Sequence, residues 1–128
     1  SEVVELRRVR LADHEPVCLE TAVLACSCVQ AVMAADLETG SLHEALIGVG
    51  IVPTRGQASI GAEAASSDDA VLLGVEPGSP MLVERRLIFD QRGKPIERTE
   101  SRYAADRYGL DVGFSVEDRS ALAISTDV

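Results

Sequence analysis

The chain has 128 residues, of which 46% are hydrophobic and 26% are charged; it is long enough for one compact domain, and its composition excludes a disordered chain. A formal net charge of −9, with Lys94 as the single lysine, excludes a duplex-binding surface on this chain, because such a surface needs clustered cationic side chains. An aromatic content of 3% without tryptophan excludes an aromatic platform for stacking bases.

The three cysteines, Cys18, Cys26 and Cys28, form an odd set without a Cys-x-x-Cys pair. This pattern predicts free thiols in a reducing compartment, and neither a disulfide framework nor a zinc site. The sequence contains no charged start followed by an apolar run, and no apolar stretch approaches the roughly 20 residues of a membrane helix. We therefore expect a cytoplasmic domain without a cofactor, a metal or a membrane partner.

The predicted elements begin with a hairpin. Residues 2–11 are rich in valine, leucine and arginine without helical spacing and predict a strand. Residues 12–15 predict a turn, and residues 16–24 predict the second strand. The next segment, residues 25–36, is rich in small side chains and fits either a short helix or a loop.

A short helix is predicted after this segment. Ser41 is expected to be its N-cap, with Glu44 three residues later completing a capping box. Gly48 or Gly50 is expected to end the helix. Residues 52–65 then include an extended stretch over residues 60–64.

A second short helix is predicted over residues 68–73. Ser67 is expected to be its N-cap, since two aspartates follow it in the first turn, and Gly74 is expected to end it. Residues 76–80, with two prolines and a glycine, predict a rigid turn before the next strand.

The clearest predicted element is a long hairpin. Its first strand is expected over residues 81–90, its turn over 91–94 and its second strand over 95–103. A last strand is predicted over residues 110–116, and the polar tail from Glu117 onward is expected to fray. Strands joined mainly by hairpins, with short helices between them, predict an α+β domain with an antiparallel sheet.

Side chains alternate faces along a strand, so Arg98, Glu100 and Arg102 share one face of the second hairpin. Glu84 and Arg86 are expected on the same side, which makes this face a solvated, charge-paired surface. The opposite face is expected to combine polar with apolar side chains, namely Glu97, Thr99, Ser101 and Tyr103 beside Val83, Leu87 and Phe89. Burying such polar groups without partners costs about 1–3 kcal/mol each, so a polar group is expected opposite them.

The first hairpin shows a similar pattern. Arg8 and Arg10 share a face, Arg7 points the other way, and Glu20 lies across from the pair on the next strand. Arginine matches the oxygens of a carboxylate or phosphate in a two-pronged geometry, so these side chains fit the lining of an anion-binding cleft. The same alternation also fits an exposed cross-strand ion pair, and alternation alone does not decide between the two.

Four segments, in order along the chain, together resemble one known family. They are ELRRVRLADHEPVCLETAVL, GSLHEALIGVG, LLGVEPGSPMLVERRLIFDQRGKPIE and SRYAADRYGLDV. The chain is similar to the UTRA domain, the C-terminal effector-binding and dimerisation module of GntR-superfamily regulators in the HutC subfamily. The resemblance implies a chorismate-lyase-like fold, in which a cleft beside an antiparallel sheet holds the effector.

The resemblance also implies ligand-binding residues, which fall by motif on Arg8, Arg10, Glu20, Ser41, Glu97 and Tyr103. A serine at the start of a helix suits an anion, because free backbone amides point there. Two features depart from the family: His43 replaces the usual tyrosine, and residues 25–35 are rich in alanine and cysteine. We interpret His43 as a helix-surface residue, and Asp106 and Tyr108 as structural parts of the terminal turn.

The resemblance assigns residues 1–128 to one effector-binding and dimerisation domain, with the winged helix-turn-helix of a complete regulator outside this chain. The implied partners are a small anionic effector (a phosphosugar, phosphonate or carboxylate) and a second copy of the domain, with DNA contacted only through the absent domain. Two alternatives remain: a chorismate-lyase-like enzyme, and a dimerisation domain with a vestigial pocket. The enzyme is disfavoured, because the sequence has no Ser/His/Asp set, metal cluster or nucleotide loop.

Overall fold

The computed structural model describes residues 3–34, 36 and 40–116. Its centre is a five-stranded antiparallel sheet in the order β1-β2-β5-β4-β3. The strands are β1 (Val3–Ala12), β2 (Glu15–Ala25), β3 (Pro53–Ala64), β4 (Pro80–Asp90) and β5 (Pro95–Ala104). The α+β fold with a mainly antiparallel sheet is therefore confirmed.

Three short helices accompany the sheet among the described residues: α1 (Val29–Ala34), α2 (Leu42–Gly48) and α3 (Ser67–Leu73). A single 3-10 turn, Cys26–Cys28, leads directly into α1, so the ambiguous segment is helical over most of its length. Gly74 ends α3 with a φ of 66°, a left-handed conformation that glycine adopts without steric cost.

The helices pack on both faces of the sheet. We call the face that carries Arg8 and Glu20 the inner face and the opposite one the outer face. On the inner face, Leu42 and Leu46 of α2 pack with Leu24 and Ile96 in one apolar cluster. On the outer face, Leu73 of α3 packs in a second cluster with Leu19, Met81 and Val83.

The two predicted N-caps have different outcomes. The Ser41 hydroxyl accepts a hydrogen bond from the Glu44 amide at 3.3 Å, so Ser41 caps α2 as predicted. For α3 the predicted cap, Ser67, is wrong, because Ser66 caps the helix. Only Ser66 lies three residues before Asp69, whose carboxylate accepts from the Ser66 amide at 2.9 Å while the Asp69 amide donates to the Ser66 hydroxyl at 3.1 Å.

A β-bulge in the β4–β5 hairpin changes the side of the sheet on which several residues lie. Phe89 pairs with Pro95, but Ile88 pairs with Glu97, so Ile96 is an extra residue in β5. Regular pairing without this residue would have placed Glu97 opposite Leu87. The extra residue shifts the alternation by one position.

The predicted faces of the second hairpin are therefore wrong. Glu84 and Arg86 pair with Ser101 and Thr99 and lie on the inner face. They do not share the outer face with Arg98, Glu100 and Arg102, whose partners there are Leu87, Arg85 and Val83. The outer face is charge-paired as expected, since Arg85 and Arg102 pair with Glu100, but it is not solvated at Arg102, whose side chain is only 14% exposed.

The outer face is organised around Arg102. Its guanidinium group donates to both carboxylate oxygens of Asp69, at 2.9–3.2 Å, and to Glu63 at 3.0 Å. Burial opposes the charge of Asp69, but hydrogen bonds from Arg102 and Ser66 lower the pKa of its carboxyl below the ordinary value of 3.8. This ion pair joins α3 to the middle of the sheet.

The last predicted strand is wrong, because residues 110–116 form no strand. Leu110, Val112, Phe114 and Val116 alternate with other side chains, as in a half-buried strand, but all four are exposed. Alternation predicts a strand only where a sheet edge is close enough to pair with it. The polar tail predicted from Glu117 lies outside the described residues. Among the described residues, no helix has the length and apolar character needed to cross a membrane.

Candidate functional site

The inner face changes from apolar to polar along the strands. Paired positions define four transverse rows across β1, β2, β5 and β4. In strand order they are Val4, Leu24, Glu97, Ile88; Leu6, Ala22, Thr99, Arg86; Arg8, Glu20, Ser101, Glu84; and Arg10, Cys18, Tyr103, Leu82. The apolar ends of the first two rows form part of the core under α1 and α2, and the charged side chains lie next to that core.

A cavity of about 340 Å³ lies between this polar surface and the start of α2. Its lining residues are Arg8, Arg10, Glu20, Gly40, Ser41, Leu42, His43, Arg86, Glu97 and Thr99. The volume is at the lower end of the range for small-molecule sites. The cavity is therefore large enough for a small metabolite.

Two arginines of β1 share one carboxylate of β2 inside this cavity. Arg8 Nη2 donates to Glu20 Oε1, and Arg10 Nη1 lies 4.0 Å from Glu20 Oε2. The Arg8 and Glu20 side chains are each 16% exposed, whereas Arg10 is 55% exposed. Two positive charges around one negative charge leave a local positive excess, which suits an anion.

Arg86 adds a third guanidinium group from β4. It lies directly across from Thr99, and its Nε atom is 3.3 Å from Glu84 Oε1. The regular hairpin pattern placed Arg86 on the outer face, so the sequence prediction missed it. A bulge at Ile96 would have located it, but an isoleucine at this position fits both a regular hairpin and a hairpin with a bulge.

Glu97 and Thr99 form the buried part of the cavity, with relative exposures of 4% and 2%. Glu97 Oε1 lies 3.5 Å from His43 Nε2. Glu97 Oε2 and Thr99 Oγ1 are buried and have no hydrogen-bond partner among the described residues. Buried polar atoms are nearly always paired in folded proteins, so these two oxygens mark a place that suits a ligand donor.

The structure brings five of the six predicted site residues together around the cavity, namely Arg8, Arg10, Glu20, Ser41 and Glu97. The sixth, Tyr103, lies on the same face but is not among the residues that line the cavity. Its ring stacks on Tyr108 with the ring centroids 3.9 Å apart. Burial raises the pKa of the Tyr103 hydroxyl to about 12, so it is neutral at physiological pH.

His43 was interpreted as a helix-surface residue, but its side chain lines the cavity and is 41% exposed. Its position two residues after the N-cap brings its Nε2 atom within 3.5 Å of Glu97 Oε1 on the sheet.

The cysteines Cys18, Cys26 and Cys28 are free, and Cys18 and Cys28 are buried. Burial, with a smaller contribution from the Glu20 charge, raises the pKa of the Cys18 thiol to about 11. Over residues 3–34, 36 and 40–116, no group of three or more His, Cys, Asp or Glu side chains is arranged to hold a metal ion.

An antiparallel sheet that encloses a small, arginine-lined cavity against one face defines a class of α+β ligand-binding domains. The sequence pattern of one such family, the UTRA domain, matches residues 1–109, and the chain belongs to this family. The predicted resemblance is confirmed. This is an effector-binding domain of the kind found in GntR-family transcriptional regulators.

Relatives of known structure and name agree with this assignment. The transcriptional repressor NagR of Bacillus subtilis is 26% identical over 109 residues, which cover 84% of this chain and 44% of the repressor. The effector domain of PhnF from Mycobacterium smegmatis superposes with a TM-score of 0.82 at 28% identity, covering 89% of this chain and 70% of that one. A GntR-family regulator from Enterococcus faecalis gives 0.78 at 26% identity, covering 88% and 81%. The chain spans less than half the length of the curated relatives it matches.

Proposed function

We propose that the cavity binds a small anionic metabolite, a phosphosugar, phosphonate or carboxylate, and thereby controls DNA binding by an attached winged helix-turn-helix domain. The observation that carries this proposal is the convergence of three guanidinium groups, those of Arg8, Arg10 and Arg86, on one cavity. Guanidinium groups form paired, charge-assisted hydrogen bonds with phosphate and carboxylate oxygens.

Glu20 explains how the arginines are held ready in the free domain. Its carboxylate lies between Arg8 and Arg10 and keeps Arg8, which is mostly buried, hydrogen-bonded and oriented. An anionic effector then binds beside the Glu20 carboxylate or takes its place next to the arginines. Because the site is already formed, binding costs little side-chain entropy. Arg10, which is more than half exposed, is the guanidinium most accessible to an entering anion.

Helix α2 offers a route from the cavity to the rest of a regulator. Ser41, Leu42 and His43 at its start line the cavity, while Leu46 is fully buried in the inner core. A ligand that contacts this start favours the helix position that binds it better, which shifts the population of conformations. In a homodimer, which is part of the proposal, such a shift would change how the two DNA-binding domains are held.

The contacts of the polar side chains that line the cavity favour ligand binding over covalent catalysis. His43 Nε2 faces Glu97, and the Ser41 hydroxyl accepts from the Glu44 amide. These contacts do not pair a nucleophile with a base, which covalent catalysis requires.

A thermal-shift screen of phosphosugars, phosphonates and small carboxylates, followed by calorimetry of the best ligand, tests the proposal. We expect at least one anion to stabilise the domain and the double substitution Arg8→Ala/Arg10→Ala to weaken its binding by about 100-fold or more, since each charge-assisted hydrogen bond contributes about 1.5–3 kcal/mol. The matched control is Arg7→Ala, which removes an exposed arginine of the same strand from the outer face.

Either of two results contradicts the proposal. One is that no anionic metabolite in the panel stabilises or binds the domain, which is the outcome expected of a vestigial pocket. The other is that the double variant binds the best anion as tightly as the unmodified domain does.

A further inference from the structure

The cavity has a negative pole as well as a positive one. Arg8 and Arg10 lie in the third and fourth rows of the inner face, whereas Glu97 lies in the first row, under α2. Each row holds every second residue of a strand, so neighbouring rows are about 6.8 Å apart, and Glu97 is separated from the β1 arginines along the strands as well as across them. A ligand that fills the cavity therefore meets Arg8 and Arg10 at one side and Glu97 at the other, with Arg86 across from Thr99 between them.

Glu97 is incompletely compensated by the protein. Its side chain is 3% exposed, one oxygen lies 3.5 Å from His43 Nε2, and the other has no hydrogen-bond partner among the described residues. Arg86 is in the neighbouring row, and its Nε atom lies 3.3 Å from Glu84, in the row beyond, without forming a hydrogen bond among the described residues. A buried carboxylate with an unpartnered oxygen is costly unless a donor from another molecule reaches it.

Thr99 lies one row from Glu97 on the same strand and also has an unpartnered buried oxygen. An ionised carboxylate only accepts hydrogen bonds, and a hydroxyl group accepts as well as donates. A primary ammonium group carries three donors and a positive charge, so it satisfies both oxygens and compensates the buried charge. A ligand hydroxyl supplies one donor and no charge.

We propose that the effector is zwitterionic, with a primary ammonium group that binds Glu97 and Thr99 while its anionic group binds Arg8 and Arg10. Glu97 is then the residue that selects amine-bearing anions over otherwise identical ones. This inference rests on the proposed function, because it assigns a second pole to the ligand of the same cavity.

Calorimetry at neutral pH with matched small phosphonates tests the inference. The probes are 2-aminoethylphosphonate, 2-hydroxyethylphosphonate and ethylphosphonate, together with 3-aminopropylphosphonate and propylphosphonate to cover a longer spacing between the two poles. We expect an amine-bearing probe to bind at least about tenfold more tightly than its matched partners, a difference that corresponds to one charge-assisted hydrogen bond.

Glu97→Gln is expected to reduce this preference to about threefold or less while the amine-free probes bind about as before, because only the charge of the negative pole is removed. The matched control is Glu44→Gln, which neutralises an exposed carboxylate of α2 that does not line the cavity. The control should keep the full preference for the amine.

The outcomes separate the inference from the function on which it rests. If no phosphonate or other anion binds, the proposed function fails and the inference fails with it. If the phosphonates bind but the amine and hydroxyl probes bind equally, the inference alone is overturned, and this comparison needs only the unmodified domain. A preference for the amine that persists in Glu97→Gln also overturns it.

Discussion

At the scale of single residues, Arg102 and Asp69 show how the outer face ties a helix to the sheet. The Asp69 carboxylate receives hydrogen bonds from Arg102 and from the Ser66 amide while only 3% of its side chain is exposed. Removing one partner of a buried, hydrogen-bonded pair leaves the other charge uncompensated. Asp69 therefore contributes both to the α3 cap and to the attachment of α3.

We expect Asp69→Asn to lower the free energy of unfolding at neutral pH by about 3 kcal/mol, measured by urea denaturation. Because folding lowers the pKa of Asp69 below 3.8, its contribution is fully present above that value and is lost as the pH falls through the lower folded pKa. The difference between the two proteins should therefore shrink as the pH falls below 3.8.

Asp68→Asn is the control for this measurement, since Asp68 is an exposed neighbour in the same helical turn. It should cost less than about 1 kcal/mol at either pH. A loss of stability in Asp69→Asn that is equally large in acid would show that the charge of Asp69 does not stabilise the fold.

The positions of Arg8, Arg10 and Glu20 could be predicted from alternation, because β1 and β2 pair regularly from Val3 to Arg10. The position of Arg86 could not be predicted. The bulge at Ile96 reverses which residues of the second hairpin share a face, and an isoleucine does not mark a bulge in the sequence. The lack of hydrogen-bond partners for Glu97 Oε2 and Thr99 Oγ1 could not be predicted either, because it depends on where α2 lies over the sheet.

At the scale of elements, β3 is a sheet edge that the described residues leave uncovered. It is 12 residues long, and every residue after Pro53 is exposed. Its small residues, such as Gly56, Ala58 and Gly61, leave little side-chain bulk to block a second strand. Lysine and internal proline, which commonly protect edge strands from pairing, are absent from β3. An edge of this kind is suited to pairing with the same strand of a second copy.

We expect sedimentation equilibrium to give the mass of a dimer for the domain and the mass of a monomer for Ala58→Lys/Ala62→Lys, because charged side chains on an edge strand oppose pairing. The control is Val9→Lys, which places the same side chain on β1 at the other edge of the sheet. A monomeric unmodified domain, or a dimer that only Val9→Lys dissociates, would rule out β3 as the interface.

Most elements could be predicted, because strong local patterns define them. The two hairpins fall within one or two residues of the predicted bounds, and the predicted extended stretch, residues 60–64, is the second part of β3, which begins seven residues earlier at Pro53. The errors arose where two local choices were equivalent, as with Ser66 and Ser67, or where pairing decided the outcome, as with residues 110–116. Residues 110–116 alternate like a strand but pair with no strand among the described residues.

At the scale of the whole molecule, the cavity exists because α1 and α2 cover only the apolar part of the inner face. The charged part of the same face lies opposite the start of α2, so guanidinium and carboxylate groups from four strands line one space. The sequence could indicate which strands carry these groups. It could not indicate that Arg86 and His43 join them, since this depends on the bulge in β5 and on where α2 lies over the sheet.

The central claim, that the arginines of the cavity bind the anion of an effector, is tested most directly by NMR of the arginine side chains. The Nε–Hε signals of the domain are followed while the tightest-binding anion is added to saturation. We expect the signals of Arg8, Arg10 and Arg86 to shift and that of Arg7, on the outer face, to stay in place. Saturation that leaves all three cavity arginines unchanged would contradict the claim.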